Sequence, residues 1–181
     1  MTREELQHLI RAAGDIADDD IIVIGSQAIL AVHPHAPARL LVSMEADVSP
    51  RRDPGSALAI DAAIGDVSHF HESFGYYAHG VGPETAIAPA GWQDRLVPID
   101  APSVARGQRP RRGWCLEPHD LMLAKLAANR ERDWEFVEVA LRCGLVDPEV
   151  LTARADTMPH THREHVRRRL AGVIVRAGNS P

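Results

Sequence analysis

The residues of this chain whose types and spacing could do chemistry are a glycine–serine pair and, further on, two acids one residue apart. Gly25 and Ser26 end a short apolar run, and Glu45 and Asp47 lie in the next apolar segment. Because side chains alternate along a β-strand, the two carboxylates should point to the same side. Two carboxylates held together are costly unless a cation lies between them, and Mg²⁺ prefers oxygen ligands of this type. The pair is therefore a candidate metal site.

The glycine–serine pair complements the acids if it opens a helix. Backbone N–H groups at a helix start, together with the Ser26 hydroxyl, can bind a phosphate. A nucleoside triphosphate and its metal could then bind between Gly25, Ser26, Glu45 and Asp47, because a metal neutralises the triphosphate and activates an attacking hydroxyl. An ordinary turn and a solvated strand face explain the same residues, and that alternative stays open at this point.

Composition sets the class of protein to which such a site could belong. The chain has 181 residues, 45% of them hydrophobic, and a net charge of −5. These values indicate one globular domain with or without a helical extension, and they do not favour nucleic-acid binding by overall charge. The two cysteines form no disulfide framework, no apolar run approaches the roughly 18 residues of a membrane span, and the N-terminus lacks an apolar signal core. We therefore expect a cytoplasmic protein that does not span a membrane.

Hydrophobic periodicity and helix signals divide the chain into an α/β part and a helical part. The predicted helices of the first part cover residues 3–18, 26–32 (capped by Ser26) and 53–64 (capped by Asp53). The predicted strands cover residues 21–24 and 40–48 and lie within 68–81 and 95–100. Residues 101–113 have the composition of a linker, and helices follow. The predicted fold class is α/β (α+β), with an α/β core at 1–113 and a helical C-terminal region at 114–181 packed on it.

Two segments of the chain resemble a known superfamily. "VIGSQAIL" (23–30) followed by "SMEADV" (43–48) is similar to the signature of polymerase-beta-type nucleotidyltransferases, a Gly-Gly or Gly-Ser pair and then a carboxylate-x-carboxylate motif. "DLMLAKLAANRERDWEFVEVAL" (120–141) resembles a helix pair of AbiEii-like and related small bacterial nucleotidyltransferases, including those of the DUF6036 type. The resemblance covers roughly residues 20–145 and implies a nucleotidyltransferase fold, in which helices flank a small mixed sheet.

The resemblance also implies an activity and a role for each matching residue. The activity is metal-dependent transfer of a nucleoside monophosphate from an NTP to an acceptor hydroxyl on RNA or protein, related to bacterial toxin–antitoxin systems. The implied cofactor is Mg²⁺ or Mn²⁺, with Glu45 and Asp47 as metal ligands, while Lys125 reaches the triphosphate and Asp133 holds Lys125 or Arg130 in place. The full set comprises the catalytic residues Glu45, Asp47, Lys125 and Asp133 and the nucleotide-binding residues Gly25, Ser26, Ser43 and Arg130. Without the resemblance, Lys125 would be interpreted as a lysine whose charged end extends from a buried helix face to solvent.

The chain departs from the superfamily pattern in three respects. Glu45 stands where aspartate is commoner, and its additional methylene shifts the metal position. The spacing before Glu45 is longer than usual and contains "HPHAP" (33–37). The third carboxylate of the superfamily has Asp100 as its first candidate, with Glu84 and Asp94 as competitors. An enzyme is favoured, and a non-catalytic binding or interaction module of the same fold is the alternative.

Histidines and arginines outside these motifs allow further alternatives. Three His-x-His pairs, at 33–35, 69–71 and 160–162, would suit a metal-dependent hydrolase. No cysteine or third histidine has zinc-like spacing, so surface or hydrogen-bonded histidines are expected. The arginines of the last helix are expected on a solvated face, with contacts to the phosphate backbone of an RNA acceptor as the alternative.

Overall fold

Five strands form the single sheet that the described residues contain. The computed structural model describes residues 1–103 and 109–178. The strands are β1 (Ile21–Val23), β2 (Glu45–Pro50), β3 (Tyr77–Gly80), β4 (Val97–Ala101) and β5 (Arg111–Cys115), in the spatial order β3-β2-β1-β5-β4. β1 runs antiparallel to β2 and parallel to β5, β2 runs parallel to β3, and β4 runs antiparallel to β5. The small mixed sheet of the prediction is confirmed.

Helices flank this sheet and make up the whole C-terminal part of the described chain. They are α1 (Arg3–Ala17), α2 (Ala57–Ile64), α3 (His69–Phe74), α4 (Pro118–Ala128), α5 (Glu131–Arg142), α6 (Pro148–Ala155) and α7 (His160–Gly178). A 3₁₀ turn, Pro54–Ser56, leads into α2, and the Asp53 carboxylate caps it by accepting the Gly55 N–H at 3.2 Å. The predicted cap at Asp53 and the predicted helical C-terminal region are thus confirmed.

The hydrophobic core fixes α1 against the sheet. The apolar positions of α1 recur at helical spacing, and Leu6, Leu9 and Ile10 are fully buried. Gly113 of β5 permits this packing, because a Cβ there would lie 2.5 Å from Cδ1 of Ile10. β1 is buried along its whole length. A rigid β1 therefore determines where the residues that follow it are placed.

α4 is the helix that carries Lys125, and ion pairs hold the first residues of this helix in place. Glu117 caps α4 by accepting backbone N–H groups, and its carboxylate also pairs with the side chains of His119 and Arg154. Burial alone would raise the pKa of Glu117, but His119 and Arg154 outweigh burial and hold that pKa at about 2. α4 packs against α5, α6 and α7, so most of its surface is buried.

The segment between β1 and β2 differs from the prediction. The helix predicted over 26–32 is present as a 3₁₀ helix, Ser26–Ala31, but Gly25 is its N-cap instead of Ser26. The predicted strand over 40–48 is also wrong at its start, because Leu40 ends a 3₁₀ turn and β2 begins at Glu45. Leu40 is buried, so its apolar character reflects the core packing of a turn.

The segment predicted as a strand before β3 begins with a helix. Ser68 caps α3 with its side chain, and Gly75 ends the helix in the left-handed region at φ +75°. Phe70 and Phe74 are four residues apart, and both rings pack on His8 of α1. This spacing suits a helix face and not a strand, so only the second half of the predicted strand is confirmed.

Part of the predicted linker is the strand β5, which pairs with two other strands. Arg111 opens β5, and its guanidinium donates to the carboxylate of Asp15 of α1 at 2.9 Å. The ion pair with α1 allows the charged Arg111 to lie in a strand, and the charged composition of this segment therefore did not indicate a strand. Residues 104–108 of the predicted linker lie outside the described residues. The predicted boundary after residue 113 falls inside β5, and the division of the chain into two units stays a prediction.

Candidate active site

An open cleft lies between the ends of β1, β2 and β3 on one side and the helices α4 and α5 on the other. Its volume is about 1270 Å³. The residues that the sequence analysis names as catalytic or nucleotide-binding all line it, namely Gly25, Ser26, Ser43, Glu45, Asp47, Lys125, Arg130 and Asp133. Tertiary structure therefore brings together residues that are up to about a hundred positions apart in the chain.

The two acids of β2 lie on the face of the sheet that borders the cleft. Burial alternates along the strand, with Glu45 and Asp47 half-buried and Ala46 and Val48 buried. The side chains of Glu45 and Asp47 are 38% and 34% exposed. The expected period of two is thus present, and both carboxylates face the same cleft.

The glycine turn after β1 lies directly against the second of these acids. The N–H of Ile24 donates to the carbonyl of Asp47 at 3.1 Å. A Cβ on Gly25 would overlap Oδ2 of Asp47 and lie 3.0 Å from its Cγ. Gly25 has φ −86°, so this position requires glycine for space and not for backbone conformation. The close approach places the backbone of the turn in contact with the Asp47 carboxylate.

His79 is a cleft residue that the sequence reasoning missed. In the parallel pairing of β2 with β3, Asp47 is opposite His79 and Glu45 is opposite Tyr77. Nδ1 of His79 lies 3.2 Å from Oε1 of Glu45 and 3.3 Å from Oδ1 of Asp47. The alternation of Tyr77 and His79 in "YAHG" indicated that the two side chains share a strand face. The sequence could not show that this strand lies beside β2, so it could not place His79 next to the acids.

Tyr77 holds the other oxygen of Glu45. Its hydroxyl donates to Oε2 of Glu45 at 3.2 Å. Burial and the nearby Glu45 carboxylate raise the pKa of Tyr77, which keeps the hydroxyl protonated as a donor. The orientation of Glu45 is therefore set from the neighbouring strand.

The two serines of the site have different positions. Ser43 makes a local turn at the start of β2, where its Oγ accepts the Glu45 N–H at 3.1 Å and its carbonyl accepts Nε2 of Gln27 at 2.9 Å. Ser26 opens the 3₁₀ helix, and its Oγ accepts from Nζ of Lys125 at 2.8 Å. Ser43 thus supports the backbone that bears the acids, whereas Ser26 connects the glycine turn to α4.

Lys125 and Asp133 form a buried ion pair beneath the cleft. Nζ of Lys125 lies 3.1 Å from Oδ1 of Asp133 and 4.5 Å from the centre of the Phe136 ring. Lys125 and Asp133 are 8% and 1% exposed. Nε of Arg130, which is largely exposed, lies 2.6 Å from Oδ2 of the same carboxylate. The predicted contact between Asp133 and Lys125 is present, and Asp133 contacts Arg130 as well.

Burial and ion pairing together determine the pKa values of Lys125 and Asp133. Burial lowers the pKa of Lys125, and the Asp133 carboxylate opposes that shift. Burial would raise the pKa of Asp133, but hydrogen bonds and charge from Arg130 and Lys125 outweigh it and lower that pKa. The cluster thus carries two cations and one carboxylate, which leaves positive charge at the floor of the cleft.

The acids considered as a third carboxylate lie outside the cleft. Asp100 is in β4, at the opposite edge of the sheet from β3, and Oδ1 of Asp100 accepts from Nε of Arg112 at 2.8 Å. Glu84 and Asp94 lie in exposed 3₁₀ turns. None of the three is among the residues that line the cleft. His79 occupies the position next to Glu45 and Asp47 instead.

The His-x-His pairs do not form a metal site within the described residues. The one group of three histidine or acidic ligand atoms found there belongs to Glu45, Asp47 and His79, whose atoms lie within 4.8 Å of one another. His69 and His71 lie on α3 and not on the strand that was predicted within residues 68–81. His33 bonds to the carbonyl of Leu145 at 3.0 Å, in agreement with hydrogen-bonded histidines.

Within the described chain, no helix has the length and apolar character that a bilayer span requires.

Fold and cleft together define the class of protein. A small mixed sheet, a glycine–serine turn after β1 and two acids on the adjacent β2 are the features of a nucleotidyltransferase-type domain. The chain belongs to the family DUF6036, described as a nucleotidyltransferase of unknown function, whose model matches residues 2–171. No curated protein and no solved structure is significantly similar to the chain.

Proposed function

We propose that the protein is a metal-dependent nucleotidyltransferase that moves a nucleoside monophosphate from an NTP to an acceptor hydroxyl. The observation that carries the proposal is the position of Glu45 and Asp47 on one face of β2, directly against the Gly25 turn. A divalent cation between the carboxylates would lie next to backbone that a triphosphate can approach. Membership of a nucleotidyltransferase family supports a nucleotide as the substrate.

The residues around the turn would bind and orient the triphosphate. Gly25 and Ser26 line the cleft beside the acids, where their backbone and the Ser26 hydroxyl can contact phosphate oxygens. Arg130 is 55% exposed, and its guanidinium can bind phosphate oxygens in a bidentate manner. Lys125 supplies a buried point charge behind Ser26, and Asp133 holds both cations in place.

Glu45 and Asp47 suit a divalent cation because they offer hard oxygen donors on one face and both are open to the cleft. A bound Mg²⁺ or Mn²⁺ would neutralise phosphate charge and activate the acceptor hydroxyl. In the transfer, the acceptor oxygen forms a bond to the α-phosphorus and its proton passes to water. The bond from that phosphorus to the bridging oxygen breaks, and pyrophosphate leaves. Positioning and charge stabilisation by the side chains dominate such a reaction.

The acceptor that we propose is a hydroxyl of RNA or of a protein. The cleft volume of about 1270 Å³ exceeds the roughly 300–1,000 Å³ of ordinary small-molecule sites. A cleft of this size leaves room for part of a macromolecule beside the NTP. NTPs and RNA are present in the cytoplasm, where we expect the protein to act.

The direct test is label transfer from each α-labelled NTP, with Mg²⁺ or Mn²⁺, to total RNA and to total protein. Transfer to one fraction is expected, and Asp47→Asn and Glu45→Gln should each reduce it by about 100-fold or more, the scale of a misplaced reacting group. The matched control is Asp100→Asn, since this exposed carboxylate lies on β4 outside the cleft. Absence of transfer with all NTPs, or equal transfer by Asp47→Asn, would contradict the proposal.

We further propose a role related to toxin–antitoxin systems, which the resemblance of residues 120–141 to the toxin-related nucleotidyltransferases supports. Expression of the chain in a bacterial host should then slow growth, and the Asp47→Asn chain should not. Equal growth of the two cultures would remove the toxin role and leave the transferase proposal in place.

A non-catalytic binding module of the same fold is the second candidate. Two observations favour it: Lys125 is already paired with Asp133 and Ser26, and the three acids considered for the third position lie outside the cleft. Calorimetric titration with NTPs separates the candidates. Binding that requires Mg²⁺ or Mn²⁺ supports the transferase, whereas binding without a metal, or no binding, supports the module.

A further inference from the structure

We propose that His79 is the third protein ligand of the metal, and that the site therefore prefers Mn²⁺ to Mg²⁺. The inference rests on the proposed function, because it concerns the cation that Glu45 and Asp47 would hold. It goes beyond that function in two ways. It makes His79, a residue outside the superfamily motif, a metal ligand, and it states which metal the site prefers.

The pairing of β2 with β3 is what directs His79 at the acids. The two strands run parallel, with Glu45 opposite Tyr77 and Asp47 opposite His79. Neighbouring strands lie about 4.8 Å apart, so paired residues on one face lie side by side, and successive residues of the same face lie two positions apart. Glu45, Asp47, Tyr77 and His79 thus form a two-by-two array on the cleft face.

Each carboxylate has one oxygen held by the protein and the other directed at the imidazole. Oε2 of Glu45 accepts from the Tyr77 hydroxyl at 3.2 Å, and Oδ2 of Asp47 lies against Gly25. The remaining oxygens, Oε1 of Glu45 and Oδ1 of Asp47, lie 3.2 and 3.3 Å from Nδ1 of His79. Three potential ligand atoms of different residues therefore converge on one point.

Exposure makes this point accessible to an ion. The side chains of His79, Glu45 and Asp47 are 51%, 38% and 34% exposed. The three ligand atoms lie within 4.8 Å of one another, and all three residues line the cleft. An ion entering from the cleft would meet two carboxylate oxygens and one ring nitrogen, with its outer positions open to water and phosphate.

The chemistry of this donor set determines the metal. Mg²⁺ requires oxygen ligands in near-ideal octahedral geometry, whereas imidazole suits transition metals. Carboxylates and water also suit Mn²⁺, so a mixed set of two carboxylates and one imidazole accommodates Mn²⁺ better than Mg²⁺. The hydrogen bond from Tyr77 to Glu45 would orient a ligand, as outer-shell partners of metal sites do.

The test combines Mn²⁺ and Mg²⁺ titration by calorimetry with pulsed electron paramagnetic resonance of bound Mn²⁺. The wild-type chain should bind Mn²⁺ more tightly than Mg²⁺ and show ¹⁴N coupling from one histidine. His79→Gln should remove the coupling and weaken Mn²⁺ binding by at least the roughly tenfold that even the loss of an outer-shell partner causes. Its affinity for Mg²⁺ should change less, because glutamine supplies an oxygen.

The matched control is His69→Gln, because His69 is a fully exposed histidine on α3 that pairs only with Glu72 among the contacts described. It should leave both the coupling and the affinities unchanged. Mn²⁺ binding without ¹⁴N coupling, or equal Mn²⁺ affinity in His79→Gln, would overturn the inference and leave the proposed function intact. Absence of Mn²⁺ and Mg²⁺ binding with a non-hydrolysable NTP present would overturn both.

Discussion

Asp133→Asn tests whether the floor of the cleft depends on a buried carboxylate. The change keeps the shape of the side chain and removes its charge. Asp133 lies 3.1 Å from Nζ of Lys125 and 2.6 Å from Nε of Arg130. Arg130 is 55% exposed, so water can solvate it after the change. Lys125 is 8% exposed and would be left as a buried ammonium next to the neutral Ser26 hydroxyl and the Phe136 ring.

The loss of stability expected for Asp133→Asn follows from this difference in exposure between Arg130 and Lys125. Removal of one partner of a buried ion pair costs about 3–5 kcal/mol of unfolding free energy, because the other charge is left uncompensated. The exposed pair with Arg130 adds about 0–1 kcal/mol. For a chain of this length, about 3–5 kcal/mol corresponds to a fall in melting temperature of roughly 6–20 °C.

Lys125→Met is the informative comparison. It removes the cation that burial disfavours and leaves Asp133 paired with Arg130, so we expect a cost below the roughly 3 kcal/mol at which the range for an unpaired buried charge begins. The double variant should be more stable than Asp133→Asn alone, because no unpaired ammonium remains.

Urea denaturation followed by circular dichroism measures these differences at constant pH. A cost below about 1 kcal/mol for Asp133→Asn would refute the reasoning, since it lies well under the range for a broken buried pair. A double variant as unstable as Asp133→Asn would refute it as well. Either result would mean that Lys125 is not electrostatically dependent on Asp133.

The remaining predictions concern the glycine turn, the orientation of Glu45 and the cap of α4. Gly25→Ala should displace the Asp47 carboxylate and reduce nucleotidyl transfer by about 100-fold, measured by label transfer. Tyr77→Phe should weaken metal binding by about 10- to 100-fold in calorimetry through loss of its hydrogen bond to Glu45, with little change in melting temperature. Glu117 has its pKa lowered from 4.5 to about 2, so its stabilising contribution is complete above about pH 4.5 and is lost as pH falls toward 2. Urea midpoints of wild type and Glu117→Gln should therefore converge over that interval.

Each of these predictions has a control or a contradicting outcome. Gly172→Ala is the control for the glycine, because a Cβ there meets only Nη1 of Arg176, at ordinary contact distance. Equal transfer by Gly25→Ala would contradict the proposed close approach. For Tyr77→Phe, unchanged metal affinity would show that the hydroxyl does not orient Glu45. If the urea midpoints of wild type and Glu117→Gln differed by the same amount from pH 5 to pH 2, this would contradict the lowered pKa of Glu117.

The sequence by itself determined those features of the site that depend on neighbouring residues. The common face of Glu45 and Asp47 follows from the period of two along any strand, so it was predictable before the strand's exact bounds were known. The helix that carries Lys125 was likewise predictable from apolar spacing and from Pro118 near its start. The start of β2 was predicted wrongly, because the buried Leu40 of the preceding turn resembles the end of a strand.

Tertiary structure decided which of the predicted residues have partners and which distant residues join them. His79 reaches the acids only because β3 lies beside β2 in parallel register, and Asp100 stays away because β4 lies at the other edge. Burial of Lys125 follows from packing of α4 among three helices. Periodicity is a property of adjacent residues, whereas strand order and burial depend on how the whole chain minimises its exposed apolar surface. For that reason the sequence specified the two carboxylates, and only the folded chain specified the histidine between them.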